Sequence, residues 1–400
     1  MSVNSPKDIR PLDGIRVVSL EHAVAAPFAT RQLADLGARV IKVERPGAGD
    51  FARGYDETVH GQASHFVWLN RGKESLTLDL KQDEAQKVLH QLLADADVLV
   101  QNLAPGAAAR MGLDFDTLHA SYDKLIVCDI SGYGDAGPYR DKKAYDLLIQ
   151  AAAGLIGITG GPDEPSRAGI SIADIAAGMY AYTGILSALL QRGRTGKGVR
   201  VEVTMLEALS EWMGYALYFG HYGGTPPARF GASHPAIAPY GVHRTGDGGS
   251  VIFGLQNERE WRAFCEKVLE QPELLQDERF ATNSGRVKNR PAMTEIIEQR
   301  FASMTVSRAE ALLDAAQIAN APMNDIEAVW NHPQLAARNR WREVAVPGGT
   351  IGALLPPANL SGVEPVMGDV PALGAHSRQI LAELGYADSD IAALVDRKTI

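Results

Sequence analysis

Short apolar runs alternate with segments of helical period along the first half of this chain, and that alternation constrains its fold more than any other feature. Residues 15–20 and 40–44 have the β-branched, apolar character of strands. Between them, Pro27 stands where a helix can begin and Leu36-Gly37 where it can end. Strands over 75–80, 98–101 and 125–130 and a helix over 82–93 continue the order. Strands joined by helices lie parallel, so the pattern predicts an α/β fold with a mostly parallel, helix-covered sheet. The turn Glu21-His22-Ala23-Val24-Ala25-Ala26-Pro27 contains no glycine, which excludes the G-x-G-x-x-G dinucleotide fingerprint. The glycines of residues 193–198 lack P-loop spacing and follow a helix instead of preceding one, so ATP is not supported either.

One stretch of the interior is unusual. Between Arg167 and Arg192 the only charged side chain is Asp174, and the apolar positions around it leave little polar face. A helix buried on most sides is predicted, with one carboxylate in its first turn and a stop at Gly193. The apolar part, residues 175–190, is shorter than the about 20 residues of a membrane span. Two readings of Asp174 stand side by side: an N-cap, for which Asp is a preferred residue, or an ionised nucleophile held at the positive end of the helix dipole.

A strand over 199–204 and an apolar helix over 205–219 precede a change to Gly- and Pro-rich sequence at 220–227. A second irregular stretch spans 347–371. These shifts divide the chain into a large domain (1–219 and 332–400), a smaller α+β domain (228–325) and linker regions (220–227 and 326–371). The net charge of −9 argues against a nucleic-acid partner. Residues 1–10 are polar and show no secretory signal, and the two cysteines, Cys128 and Cys265, form no CxxC or disulfide framework. The expectation is a cytoplasmic protein with no metal site, no tightly bound cofactor and no membrane association.

Several short stretches, in order and across essentially the whole chain, resemble the family III CoA-transferases. They are Pro11-Leu-Asp-Gly-Ile-Arg-Val, Gly37-Ala-Arg-Val-Ile-Lys-Val-Glu-Arg-Pro46, Leu69-Asn-Arg-Gly-Lys-Glu-Ser75, Gln101-Asn-Leu-Ala-Pro-Gly106, Ala173-Asp174-Ile-Ala-Ala-Gly178 and Arg194-Thr-Gly-Lys-Gly198. The resemblance implies a large Rossmann-like domain built from N- and C-terminal parts, a smaller α+β domain, and a homodimer of interlocked rings. It implies coenzyme A or an acyl-CoA as substrate and Asp174 as the catalytic carboxylate, forming an acyl–aspartyl anhydride and then an aspartyl–CoA thioester. By family position, Arg45, Lys81, Arg110 and Lys143 supply cations for the CoA phosphates. Ala23, Val24, Ala25, Leu78, Asn102 and Met205 line the cofactor site, and Arg71 and Lys73 are further basic residues close by. In relatives a glycine-rich loop shields the intermediates. The corresponding stretch here, Phe230-Gly-Ala-Ser-His-Pro235, has one glycine, leaving open a stiffer shield or direct substrate contact by Ser233 and His234.

Tyr145-Asp146 occupies the position where the racemases of this fold carry a His–Asp pair. A phenol with a pKa near ~10 is a poor base at neutral pH, which counts against α-carbon proton transfer. Asp146 is then a candidate to orient the site or tune Asp174, and packing into the core is the alternative for Tyr145. Residues 64–81 look most like members that handle mesaconate, itaconate, citramalate, malate or succinate. The expected function is CoA transfer from an acyl-CoA such as succinyl-CoA to a C4 or C5 dicarboxylic acid. The competing readings are intramolecular transfer on mesaconyl-CoA, a racemase-like enzyme, and a non-catalytic acyl-CoA binding protein.

Overall fold

A computed structural model describes residues 9–400. The polar segment 1–8, part of the stretch read above for a secretory signal, lies outside the described residues. The chain divides into two units, one formed by residues through Ala153 with Gly169–Gly214 and Leu335–Ile400, the other by Gly154–Ala168 with Tyr215–Gln334. Residues 154–168 thus fall in the second unit, whereas sequence pattern alone groups them with the large domain.

The first unit is built on a six-stranded sheet: β1 (Arg16–Leu20), β2 (Arg39–Glu44), β3 (Lys73–Thr77), β4 (Val98–Gln101), β5 (Ile126–Ser131) and β6 (Arg200–Thr204), in the order β3-β2-β1-β4-β5-β6. All of its strand pairs are parallel. Both faces are covered, which is why its central strands read as continuous apolar runs. On one face lie α1 (Ala25–Asp35) and the long α4 (Ile172–Thr195), which pack on each other. On the other, α2 (Asp83–Ala94), α5 (Ser377–Glu383) and α6 (Asp388–Asp396) bury Val88, Leu89, Ile380 and Leu394 against Val18, Leu20, Leu76 and Leu99. The short helix α3 (Asp146–Ala152) follows β5. The sheet is drawn wholly from residues 16–204, so the C-terminal part adds helices to this unit and no strand to the sheet.

Several expected boundaries shift. β3 ends at Thr77, leaving residues 78–81 as a loop above the sheet edge. Pro27 is the third helical residue of α1, not the first. α4 runs through Gly193 and ends at Gly196, which takes the left-handed φ of +73° that a C-cap favours. Its 24 residues are long and apolar enough to cross a membrane by length and composition alone. Yet Ala173, Ala177, Ala181 and Ile185 are buried inside the unit, as in the core helix of a globular domain. Burial is one-sided, not nearly complete as its composition suggests: Tyr180 and Leu190 are exposed. A Cβ at Gly178 would lie 2.7 Å from the Ala25 carbonyl oxygen, so this glycine permits the close approach of α4 to α1.

In the second unit, β7 (Tyr240–Arg244), β8 (Ser250–Gly254) and β9 (Asn320–Pro322) form an antiparallel sheet. Phe253, Trp261, Phe264, Ile297 and Phe301 fill its core together with the surrounding helices. The expected helix over 205–219 is two, Met205–Trp212 and Gly214–Gly223, the second running into the segment taken above for a linker. The stretch from 347 is likewise not all irregular. In the first unit, β10 (Trp341–Val346) and β11 (Gly349–Leu354) form a hairpin, with Pro347 and the positive-φ Gly348 at its turn. Val344, Val346 and Ala353 pack there on Phe66 and Val67.

Candidate active site

The strands β1 to β5 end in a cleft of about 1700 Å³ within the first unit. It opens where the strand order reverses, between β1 and β4, the place an open α/β sheet offers to ligands. The two sides of that switch point are joined by one side chain. Asn102, just after β4, accepts the His22 N–H at 2.8 Å and donates to the His22 carbonyl at 2.9 Å. The next residue, Ala23, has a φ of +60°, a left-handed conformation that costs an alanine energy. Its N–H is held by Asp50 Oδ1 at 3.1 Å.

Beneath this turn lies a fully buried charge network. Lys42 Nζ meets Asp50 at 2.7 Å and Glu21 at 3.4 Å, while Lys73 Nζ meets Glu21 at 2.7 Å and Asn70 at 3.1 Å. Glu21 also accepts the Thr30 hydroxyl at 2.6 Å. Burial opposes the charged state of each lysine, and their surroundings then differ. Lys42 faces several carboxylates and is raised, whereas Lys73 has Glu21 close by and Lys42 opposing it, and is lowered to about 7. Above the turn, α1 starts at Ala25 with no capping side chain and no acid in its first turn, leaving amide donors and the positive dipole end for an anion.

Asp174 is the third residue of α4 and is half-buried in the cleft wall. It does not cap its helix. That part is taken by Asp146, whose Oδ1 accepts the N–H of Ala173 at 2.8 Å and of Asp174 at 3.4 Å, and whose Oδ2 accepts from Gln150 at 2.6 Å. Among the described residues no donor reaches the Asp174 carboxylate. Burial, and then the charge of Asp146, push it up to about 7. The helix terminus therefore does not leave it fully ionised at neutrality, as its position in the sequence suggests. A carboxylate without donors, poised to ionise near neutral pH, is a competent nucleophile for an activated acyl group.

Ala23, Val24 and Ala25 line the same cleft, as do Arg45, Leu78, Lys81, Asn102, Arg110, Lys143, Tyr145, Asp146 and Met205. None of its cations Arg45, Lys81, Arg110 and Lys143 is ion-paired among the described residues. The other basic candidates are not available to a ligand. Arg71 forms a bidentate pair with Asp35 at 2.9 and 2.8 Å, and Lys73 is in the buried network. Tyr145 is 66% exposed, which removes the reading that packs it into the core. His234 and Ser233 belong to the second unit. There the His234 ring stacks on Tyr240 at 5.3 Å, its Nδ1 accepts the Ala236 N–H, and Gly231 N–H bonds to the Gly160 carbonyl, so residues 230–235 are a braced turn.

The cleft also holds residues that the sequence did not single out. His22 stacks on Phe51 at 5.3 Å, and Tyr55 meets His65 edge-on at 5.6 Å. Lys142 and Lys398 add positive charge. His22 lies two residues beyond β1, a position legible in the sequence, whereas Tyr55, His65 and Lys398 reach the cleft only through tertiary folding.

Residues 12–377 match the sequence profile of CoA-transferase family III. The chain is 34% identical over 398 residues to the succinyl-CoA:glutarate CoA-transferase of Mus musculus, a match covering 97% of this chain and 89% of that one. It is also 34% identical over 384 residues to the succinate–glutarate CoA-transferase of Agrobacterium fabrum, covering 94% and 96%. The crystal structure of a CAIB/BAIF family protein from Brucella suis superimposes with a TM-score of 0.85 at 35% identity, over 94% of this chain and 99% of that one. The profile spans the cleft residues from Leu20 to Met205, and the chain belongs to CoA-transferase family III and is a CoA-transferase.

Proposed function

We propose that the protein moves CoA from succinyl-CoA to a C4 or C5 dicarboxylic acid through covalent intermediates on Asp174. The observation that supports this reading is the Asp174 carboxylate itself, which no donor reaches among the described residues, in a cleft whose Arg45, Lys81, Arg110 and Lys143 have no ion-pair partner among those residues. Its oxygen attacks the thioester carbonyl, the C–S bond breaks, and CoA leaves as thiolate. A thiol with a pKa near ~8.5 makes that departure easy. The resulting succinyl–aspartyl anhydride keeps the acyl group activated without ATP. The thiolate then attacks the aspartyl carbonyl and expels succinate, giving aspartyl–CoA thioester. The acceptor carboxylate displaces the thiolate to form a second anhydride. The thiolate finally attacks the acceptor-derived carbonyl, releasing the new thioester and the Asp174 carboxylate.

In this reading Arg45, Lys81, Arg110 and Lys143 balance the CoA phosphates, the turn 23–25 and the head of α1 offer amide donors, and Leu78, Asn102 and Met205 line the path. Asp146 positions the head of α4. The names of the two relatives add glutarate to the acids suggested by the sequence. We also infer a homodimer, supported by apolar side chains left exposed: Leu190 on α4, Trp212 beyond it, and Tyr215, Tyr218 and Tyr222 of the Gly214–Gly223 helix. A native monomer at nanomolar dilution would remove that part.

The decisive experiment mixes the pure protein with succinyl-CoA and glutarate, citramalate, mesaconate, itaconate or malate, and reads CoA esters by mass spectrometry. New thioesters are expected, and none with Asp174→Ala. Transfer by that variant at the wild-type rate would end the proposal.

A further inference from the structure

Residues 398–400 form part of the cleft wall, and their placement is built. After α6 the chain turns back through Lys398, a non-glycine residue with a φ of +56°. Thr399, wholly buried, fixes that turn. Its carbonyl accepts the Asp79 N–H at 2.8 Å, its hydroxyl donates to Gln82 Oε1 at 2.6 Å, and its N–H bonds to the Leu394 carbonyl at 2.8 Å. The result sets Lys398 and Ile400 into the cleft with Leu78, Leu80 and Lys81 of the loop after β3. Lys398 has no acidic partner among the described residues, although its neighbour Arg397 pairs with Glu84 at 3.2 Å. The nearby Asp79 carboxylate is engaged by the Lys81 N–H and the Gln82 side chain.

Position along the cleft narrows what this lysine meets. Asp174 descends from α4, which shares one face of the sheet with α1. Lys398 follows α6, which packs with α2 on the opposite face, above the edge strand β3. A CoA thioester with its carbonyl at Asp174 must therefore cross the strand ends before reaching Lys398. The group at the far end of such a molecule is the 3′-phosphorylated adenosine. Leu80 and Ile400, both only partly buried, give the apolar surface a purine needs, and Lys398 gives the charge that its phosphate needs.

We propose that Lys398 is a binding cation for the 3′-phosphate of CoA and that Thr399 is the positioning residue that aims it. The assignment rests on the reading in which CoA occupies this cleft with its thioester at Asp174.

The test compares CoA with dephospho-CoA, which lacks only the 3′-phosphate, by calorimetric titration of the full chain. Wild-type protein should prefer CoA by about tenfold or more. Lys398→Ala should lose most of that preference through weaker CoA binding, with dephospho-CoA binding unchanged, and Lys398→Arg should restore it. Thr399→Val should reduce the preference in part. If Lys398→Ala keeps the wild-type preference, or weakens both ligands equally, the assignment is overturned. Because binding is read directly, a wild-type protein that binds CoA yet transfers nothing would end the transfer mechanism and still decide the role of Lys398. A wild-type protein that binds neither ligand would end both.

Discussion

The Asp146 carboxylate accepts the backbone N–H of Asp174 at 3.4 Å while its charge opposes ionisation of the Asp174 side chain. One acid thus occupies the amides at the head of α4, and among the described residues the other has no donor. A half-buried carboxylate with a raised pKa is a stronger nucleophile once ionised, and less of it is ionised at low pH. The balance falls near neutrality, because burial and Asp146 together set Asp174 at about 7.

The rate should follow that ionisation. For the free enzyme, kcat/KM for succinyl-CoA should rise with pH through a midpoint near 7, the value set for Asp174. Asp146→Asn keeps an oxygen for the Ala173 amide but removes the opposing charge. Since burial is the larger cause, the midpoint should fall by only ~0.5–1 unit. An acid limb that stays in place in Asp146→Asn would show that this charge does not act on Asp174.

Stability should carry the same signature with the opposite benefit. A carboxyl whose folded pKa of about 7 lies above its ordinary 3.8 favours the fold in its protonated form. That contribution is complete below the unfolded pKa and is lost as pH rises through the folded one. Asp174→Asn cannot ionise, so it should stabilise the protein above pH 7 by on the order of 1–3 kcal/mol and change little near pH 4. Thermal unfolding at the two pH values measures this, and an equal shift at both would point to packing in place of charge.

The buried network under the turn should be far less tolerant. Lys42 is the partner of both Asp50 and Glu21, and Asp50 in turn holds the N–H of the left-handed Ala23. Lys42→Met leaves those carboxylates facing each other without their shared cation, which should cost about 3–5 kcal/mol. Ala23→Gly, which removes only the conformational strain, should be neutral or stabilising by up to ~1 kcal/mol. Denaturant titration of the two variants checks the pair; a Lys42→Met loss below ~1 kcal/mol would mean that the network tolerates an unpaired acid.

Which of these features the sequence discloses depends on how local their causes are. The parallel sheet is legible because strands covered on both faces must be apolar throughout, as 98–101 and 125–130 are. Asp174 is legible because a lone charge in an apolar run is conspicuous. Lys73 and Arg71 read in sequence only as additions to a basic patch, since their true partners Glu21 and Asp35 lie tens of residues away. The occupation of the α4 amides by Asp146, and the arrival of Lys398 in the cleft through Thr399, depend on contacts between distant segments. The hairpin at 341–354 is hidden for the opposite reason: its Pro-Gly-Gly turn is also what a linker looks like.

α4 finally offers a comparison of two glycines within one helix. At Gly193 a methyl group would meet nothing within 4 Å among the described residues, so Gly193→Ala should gain the helix propensity difference of about 0.5–1 kcal/mol. At Gly178 the same methyl group would lie 2.7 Å from the Ala25 carbonyl and 3.0 Å from the Phe28 ring. α4 would have to move away from α1, and overpacking of that kind costs about 1–3 kcal/mol, more than the propensity gain. Asp174 lies one turn before Gly178 and moves with the helix, so kcat should fall in Gly178→Ala and remain unchanged in Gly193→Ala. Equal kcat values in the two variants would mean that the approach of α4 to α1 does not position Asp174.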